Sequence, residues 1–318
     1  MRISRREWIA AALVGGGSTA CSKRLKTNEG AGRAGVLDIP LDGRVYATYR
    51  FGREWDKPFL FPLKTPSGVT VTRGWPVEPR PGESDDHPWH RGVIWGHGLI
   101  NGYDFWRELG RDKTARLIPK AVPEGRTEGE LFVVEAELDL VPPDGATIGR
   151  CRQRFGVRST PQGVEVSAEI VVAADHGHGL TFGDTEDGGF GIRFDDAFRQ
   201  DRGAKLLNSD GLVGSENIWG KRARWVQYST EVGGKPASVS IFDHPSNFRH
   251  PTYWHARDYG LCAANPFGLH DFLRDPNQDG SETVGAGGKL AFRYRILVAD
   301  GVTPVDEVER LFEAYGEE

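Results

Sequence analysis

Phe132-Val133-Val134-Glu135-Ala136-Glu137-Leu138-Asp139-Leu140 is the stretch that decides the fold class. Phe132, Val134, Ala136, Leu138 and Leu140 alternate with Val133, Glu135, Glu137 and Asp139. Successive side chains of a strand point to opposite faces, so a period of two describes a strand with one apolar face. The pattern recurs. Val164, Val166, Ala168 and Ile170 alternate with Glu165, Ser167 and Glu169, and Leu290, Phe292, Tyr294, Ile296 and Val298 alternate with Ala291, Arg293 and Arg295. Strands buried on one face only favour antiparallel sheets. Turn signals separate them: Pro142-Pro143-Asp144-Gly145, Pro161-Gln162-Gly163 and Gly233-Gly234-Lys235-Pro236.

The rest of the chain agrees. Its 318 residues carry 42 Gly and nine Trp, a composition of strands and tight turns. Apolar residues at 38% and charged residues at 27% exclude a disordered chain and a multi-span membrane protein. A net charge of −5 excludes a nucleic-acid polyanion as partner. One helix is legible, at the C-terminus. Thr303 is placed to cap it, Pro304 to open it, and Asp306 and Glu307 to meet its positive end. Val305, Val308, Leu311, Phe312 and Tyr315 form its apolar stripe. With no internal repeat, residues 37–318 read as one all-β domain. Its expected form is a large two-sheet antiparallel β-sandwich with a C-terminal α-helix.

Residues 1–20 read as a signal peptide of twin-arginine and lipoprotein type. Arg2, Arg5 and Arg6 precede the short apolar run Ile9–Val14, and Ser18-Thr19-Ala20 leads to Cys21, the expected lipidation site. Residues 21–36 are polar and read as a tether. These features place the protein in the periplasm, touching a membrane only through a lipid anchor. Cys151 and Cys262 then remain, either as one disulfide or as two buried thiols.

Histidine carries the chemistry. Asp86-His87-Pro88-Trp89-His90-Arg91-Gly92 runs on to Gly96-His97. A second segment runs from Asp243-His244-Pro245 through Tyr253-Trp254-His255-Ala256-Arg257 to Asn265 and His270. Surface loops do not need Trp, and cores do not need this many His and Arg, so both segments are expected to line one cleft. His87, His90, His97, His244 and His255 are candidate acid/base imidazoles, since histidine moves protons near neutral pH. His87, His90 and His97 also form a candidate ligand set for one divalent metal ion. Asp184 and Glu186, in the glycine-rich run Gly183–Gly191, are the candidate carboxylates. Arg91, Arg193, Arg257, Asn265 and His270 are candidate substrate contacts, and Trp89 and Trp254 can stack on a sugar face. Asp275-Pro276-Asn277-Gln278-Asp279-Gly280 opens like a calcium loop, but Ala286 stands where the bidentate Glu belongs, so it reads as a turn.

Phe61-Pro62-Leu63-Lys64-Thr65-Pro66-Ser67-Gly68, Asp86–Gly92, Asn101–Trp106, Gly183–Gly191 and Asn265-Pro266-Phe267-Gly268 resemble motifs of a bacterial family of unknown function. Its members often carry the label methane oxygenase PmoA. The resemblance implies a galactose-mutarotase-like supersandwich and a carbohydrate or other small polar substrate. Three readings follow: a sugar hydrolase, lyase or epimerase; a non-catalytic carbohydrate-binding lipoprotein; and the metal-dependent oxidoreductase that the label implies.

Overall fold

The structure is a computed structural model that describes residues 35–110 and 112–318. The expected signal peptide, Cys21 and nearly all of the expected tether lie outside the described residues. The alternating segments become the strands Leu131–Val141, Gly149–Thr160, Gly163–Ala173 and Lys289–Asp300, which pair antiparallel side by side. Lys235–Asp243, Trp225–Val232 and Lys205–Asn208 extend one edge, and Arg116–Pro119 and Glu124–Glu128 pair with Leu131–Val141, completing a nine-stranded sheet. A seven-stranded sheet faces it. Its spatial order is Val36–Leu41, Arg44–Arg50, Phe59–Leu63, Val93–His97, Gly188–Arg193, Leu261–Asn265 and Tyr253–Ala256, with every ladder antiparallel.

The apolar faces meet between the sheets. Val134, Leu138, Leu140, Val166, Ile170 and Ile296 pack with Val93, Trp95, Phe190, Ile192 and Trp254 in one core. Phe190 and Tyr294 stack across the gap with ring centroids 4.7 Å apart. The fold is therefore an all-β, two-sheet antiparallel sandwich. The helix Val305–Gly316 closes its far side, burying Val308, Phe312 and Tyr315 against Trp225, Phe242 and Leu297. The cap differs from expectation. The Thr303 hydroxyl lies 3.3 Å from Ser238 Oγ on the sheet, so Pro304 takes the cap position and Val305 stays exposed. Cys151 and Cys262 are buried free thiols, one in each sheet.

Strand parity positions the site. On Val93–His97, Val93 and Trp95 face the core, and His97 packs there on Phe182 and Phe267. Ile94 faces outward, into a second apolar cluster with Trp106 and Ala263. On Tyr253–Ala256, Trp254 faces in and its neighbour His255 faces out. The outward floor is made of small residues. A Cβ on Gly191 would lie 3.0 Å from Ala263 Cβ and 3.4 Å from Trp106 Cη2, so a side chain there would crowd that indole. At Gly189 the constraint is conformational as well, with φ +92° and a Cβ that would overlap the Ala264 carbonyl. Gly189→Ala is expected to cost about 2 kcal/mol or more in urea unfolding. A neutral result would contradict this packing.

Candidate active site

The two histidine-rich segments meet on the outward face of the seven-stranded sheet. His90 sits in the turn before Val93–His97, its ring 5.4 Å from that of Trp106. His87 stacks on His90 at 5.0 Å and on Tyr259 at 5.2 Å, with interplanar angles of 8° and 5°. Tyr259 stands on the tight turn between Tyr253–Ala256 and Leu261–Asn265. The result is a pile of three parallel rings, the outer two contributed by chain segments far apart in sequence. Arg193 and Arg257 lay their guanidiniums against the Tyr259 ring at 4.7 and 5.5 Å. Offset stacking and cation–π contact each hold such groups in fixed orientation.

Beside the pile stands a carboxylate–imidazole pair. His255 Nδ1 lies 2.9 Å from the Glu186 carbonyl, which can only accept. Nδ1 is thereby assigned the ring hydrogen, leaving a lone pair on Nε2. That Nε2 lies 3.7 Å from Glu186 Oε2, and Arg257 Nη1 lies 4.0 Å from the same oxygen. Asn265 donates to the Thr185 and Glu186 carbonyls at 2.9 and 3.0 Å, and Asp271 accepts from the Glu186 amide at 2.8 Å. Both contacts fix the loop that carries Glu186.

Several buried polar atoms here make no hydrogen bond within the protein: both ring nitrogens of His90, Trp106 Nε1, Arg193 Nε and Nη1, and Glu186 Oε2. Buried polar groups in native proteins are normally hydrogen-bonded, and leaving one unpaired costs about 1–3 kcal/mol. Such a concentration on one face is the mark of a site shaped for a bound molecule. Two further concavities, of about 190 Å³ beside Arg295 and His244 and about 260 Å³ beside Arg116 and Lys57, lie away from it. They gather fewer such atoms: Arg295 Nε and His244 Nε2 in the first, Arg116 Nε in the second.

Electrostatics separates the proton carriers. Burial holds His90 neutral, well below its ordinary pKa, and the charges of Arg193, His87, His255 and Arg73 add to it. Burial lowers His255 to about 3, with Arg257 reinforcing, and lowers His97 to about 4. Burial acts oppositely on acids: it pushes Glu186 up against the pull of Arg257, and Asp187 up against that of Arg107. Burial thus keeps the imidazoles of this face neutral and moves its carboxyls up.

The same shifts give stability a pH dependence. His97 in the folded chain takes a proton only near pH 4, His255 only near 3, whereas unfolded histidine does so near 6.5. Below about 6.5 the unfolded chain binds more protons, so acidification favours it. The stability from burying these rings neutral is complete above about pH 6.5 and is lost through that window as pH falls. Each ring contributes a slope of up to about 1.4 kcal/mol per pH unit. The urea midpoint should drop between pH 7 and 5, and a flat profile would contradict the burial of these rings.

The structure brings together His87, His90, Glu186, Arg193, His255 and Arg257, with Trp89 half-buried beside His87 and His90. Other candidates fall elsewhere. His97 points into the core with Nε2 2.8 Å from the Gly183 carbonyl, so it does not join His87 and His90 as a ligand. Among the described residues no three His, Cys, Asp or Glu are grouped to hold a metal ion. His244 bonds Ser246 and packs on Tyr315, under the C-terminal helix. Trp254 is a core residue whose Nε1 donates to the Ala223 carbonyl. Asp184 is spent on the His270 ring and on the His270 and Gly280 amides, and both ends of the Asn265 amide are spent on backbone. Arg91 is buried between Trp55 and Glu108. Tyr259, Asp86, Arg73 and Asp187 enter the site without being anticipated. Tyr259 stands on a turn between two strands buried at nearly every position, where no alternation marks the pairing.

A two-sheet sandwich with a cluster of polar and aromatic side chains on one outer face is the class that fold and site define. The chain belongs to a family of unknown function, DUF6807, which matches residues 36–313. Among solved structures it is similar to a galactose mutarotase-like protein from Clostridium acetobutylicum, at 10% identity over 83% of this chain and 92% of that one, with a TM-score of 0.39. It is also similar to a galactose mutarotase related enzyme from Lactobacillus acidophilus, at 10% identity over 82% and 94%, TM-score 0.35. A third is 4-alpha-glucanotransferase from Thermococcus litoralis, at 12% identity over 82% and 38%, TM-score 0.33. Likeness at this level carries no activity from one chain to another. No curated protein matches the chain.

Proposed function

We propose that this chain is a carbohydrate-active enzyme that moves protons at a sugar ring. The observation that carries the proposal is the Glu186–His255 pair, 3.7 Å apart, set beside a buried His90 with neither ring nitrogen partnered. Glu186 and the free Nε2 lone pair of His255 are the two groups on this face placed to exchange protons with a bound sugar. Trp89, half-buried beside His87 and His90, is the ring we assign to the C–H face of a pyranose. His90, Trp106 and Arg193 supply the polar contacts that orient its oxygens. Hydrolysis, elimination and epimerisation all need such a pair, one group taking a proton as the other gives one. Export to the periplasm and lipid tethering at Cys21 belong to the same proposal and rest on residues 1–21. No step depends on a redox centre or on the methane-oxygenase label.

The test is a panel of mono- and oligosaccharides followed by proton NMR. Anomeric exchange, a new reducing end and a vinylic proton are distinct signatures of epimerisation, hydrolysis and elimination. One of the three is expected. Saturable binding with none of them would make the protein a carbohydrate-binding lipoprotein, and no binding across the panel would contradict the sugar reading itself.

A further inference from the structure

Lys57 is buried without a counter-ion. It is 2% exposed, and its amine donates to the Trp106 carbonyl at 2.9 Å. A lysine is almost never buried unless an acid pairs with it. The acids around this one are already taken. Asp56 lies 3.4 Å from Arg116 Nε, Asp104 lies 2.7 Å from Arg107 Nε, and Glu108 pairs with Arg91. Each acid has its arginine, and Lys57 is the cation left over. Burial and the neighbouring Arg91 charge lower its amine to about 7, against the pull of Asp56 and Asp104. Near neutral pH the amine is therefore often unprotonated, where an exposed lysine almost never is.

The same side chain borders open space. Lys57 lines the concavity of about 260 Å³ formed where the segment Phe51 to Pro58 runs along the edge strand Arg116–Pro119. The Leu117 amide donates to the Asp56 carbonyl at 2.8 Å, and Arg116 Nη2 donates to the Arg53 and Trp55 carbonyls at 2.7 and 3.2 Å, so the segment is fixed on that strand. Phe51, Trp55, Pro58 and Ile118 give the cavity apolar walls. Arg91 lies over the Trp55 ring at 4.6 Å, which puts a second buried cation behind one wall. A lysine desolvated at an apolar cavity, or set beside another cation, acts as a nucleophile rather than as a charge.

We propose that Lys57 is a covalent capture site for a small aldehyde with an apolar body, held as an imine in this cavity. The amine lone pair adds to the carbonyl carbon. The carbinolamine then loses water, made of the carbonyl oxygen and both amine hydrogens, and a C=N bond replaces the C=O bond. A proton from solvent gives the iminium, whose single N–H keeps the hydrogen bond to the Trp106 carbonyl. No oxidant or reductant is consumed. The cavity lies away from Glu186 and His255, so this capture is independent of the sugar chemistry proposed for that pair.

Reductive trapping tests it. The full chain is treated with butanal and cyanoborohydride at about neutral pH, and alkylation of each lysine is followed by peptide mass spectrometry. Lys57 should be alkylated about tenfold or more faster than the exposed Lys205 and Lys235, because its amine is the one free to attack. In concentrated urea the preference should vanish, since burial creates it. Lys57 remaining unmodified while Lys205 and Lys235 react, or reacting no faster than they do, overturns the inference. A preference for Lys57 that persists in urea overturns it as well, because the fold would then have no part in it. None of these outcomes bears on the saccharide panel.

Discussion

Glu186→Gln should lower turnover of the cognate sugar by about 10²- to 10⁴-fold, the span expected when a general acid–base group is removed. Its affinity for that sugar should change little. Glutamine keeps the size of the side chain and the backbone contacts that fix the loop, namely Asp271 on the residue 186 amide and Asn265 and His255 on its carbonyl. It has no carboxyl to take up or release a proton. The pH profile should change with the rate: the limb that reports Glu186 disappears, while unfolding by urea stays as it was. A loss below about tenfold would take Glu186 out of the chemistry and leave His255 without an acid partner.

Trp254→Ala should do the opposite. It should cost about 3–5 kcal/mol of stability, the range for emptying a large aromatic from a core. Any protein that still folds should keep its sugar affinity. Trp254 is fully buried, donates to the Ala223 carbonyl at 2.8 Å and packs with Trp95 and Phe190 in the core between the sheets. It touches neither the ring pile nor the Glu186–His255 pair. A stable variant with lost affinity would show that the tryptophan faces the ligand and that the strand parity is reversed.

These two substitutions also mark where sequence reading reached its limit. The nine-stranded sheet was legible because its strands are wet on one face: Glu135, Glu137 and Asp139 against Val134, Ala136 and Leu138 state their own orientation. The seven-stranded sheet is covered on both faces in its middle. Val93-Ile94-Trp95-Gly96-His97 is buried at every position, so alternation vanishes and nothing marks His97 as inward. Trp254 and His255 are adjacent, equally buried and on opposite faces for the same reason.

The gathering of the two histidine segments was legible in composition, since buried His, Arg and Trp must share partners. Which histidines share a face was not. His87 and His90 depend on a turn in which His87 takes φ +45°, and Tyr259 joins them only through the pairing of Tyr253–Ala256 with Leu261–Asn265. Asp184 and Glu186 looked equivalent in a glycine-rich run. The difference is tertiary: one is spent on His270 and Gly280, while the other keeps an oxygen free.

A crystal structure of the Glu186→Gln protein soaked with a sugar that the unaltered enzyme turns over tests the central claim most directly. The account predicts the sugar on the outward face of the seven-stranded sheet, along the His90–His87–Tyr259 pile, within hydrogen-bond reach of His255 Nε2 and Arg193. A sugar bound instead in the concavity beside His244 and Arg295, with the outward face empty, would contradict it.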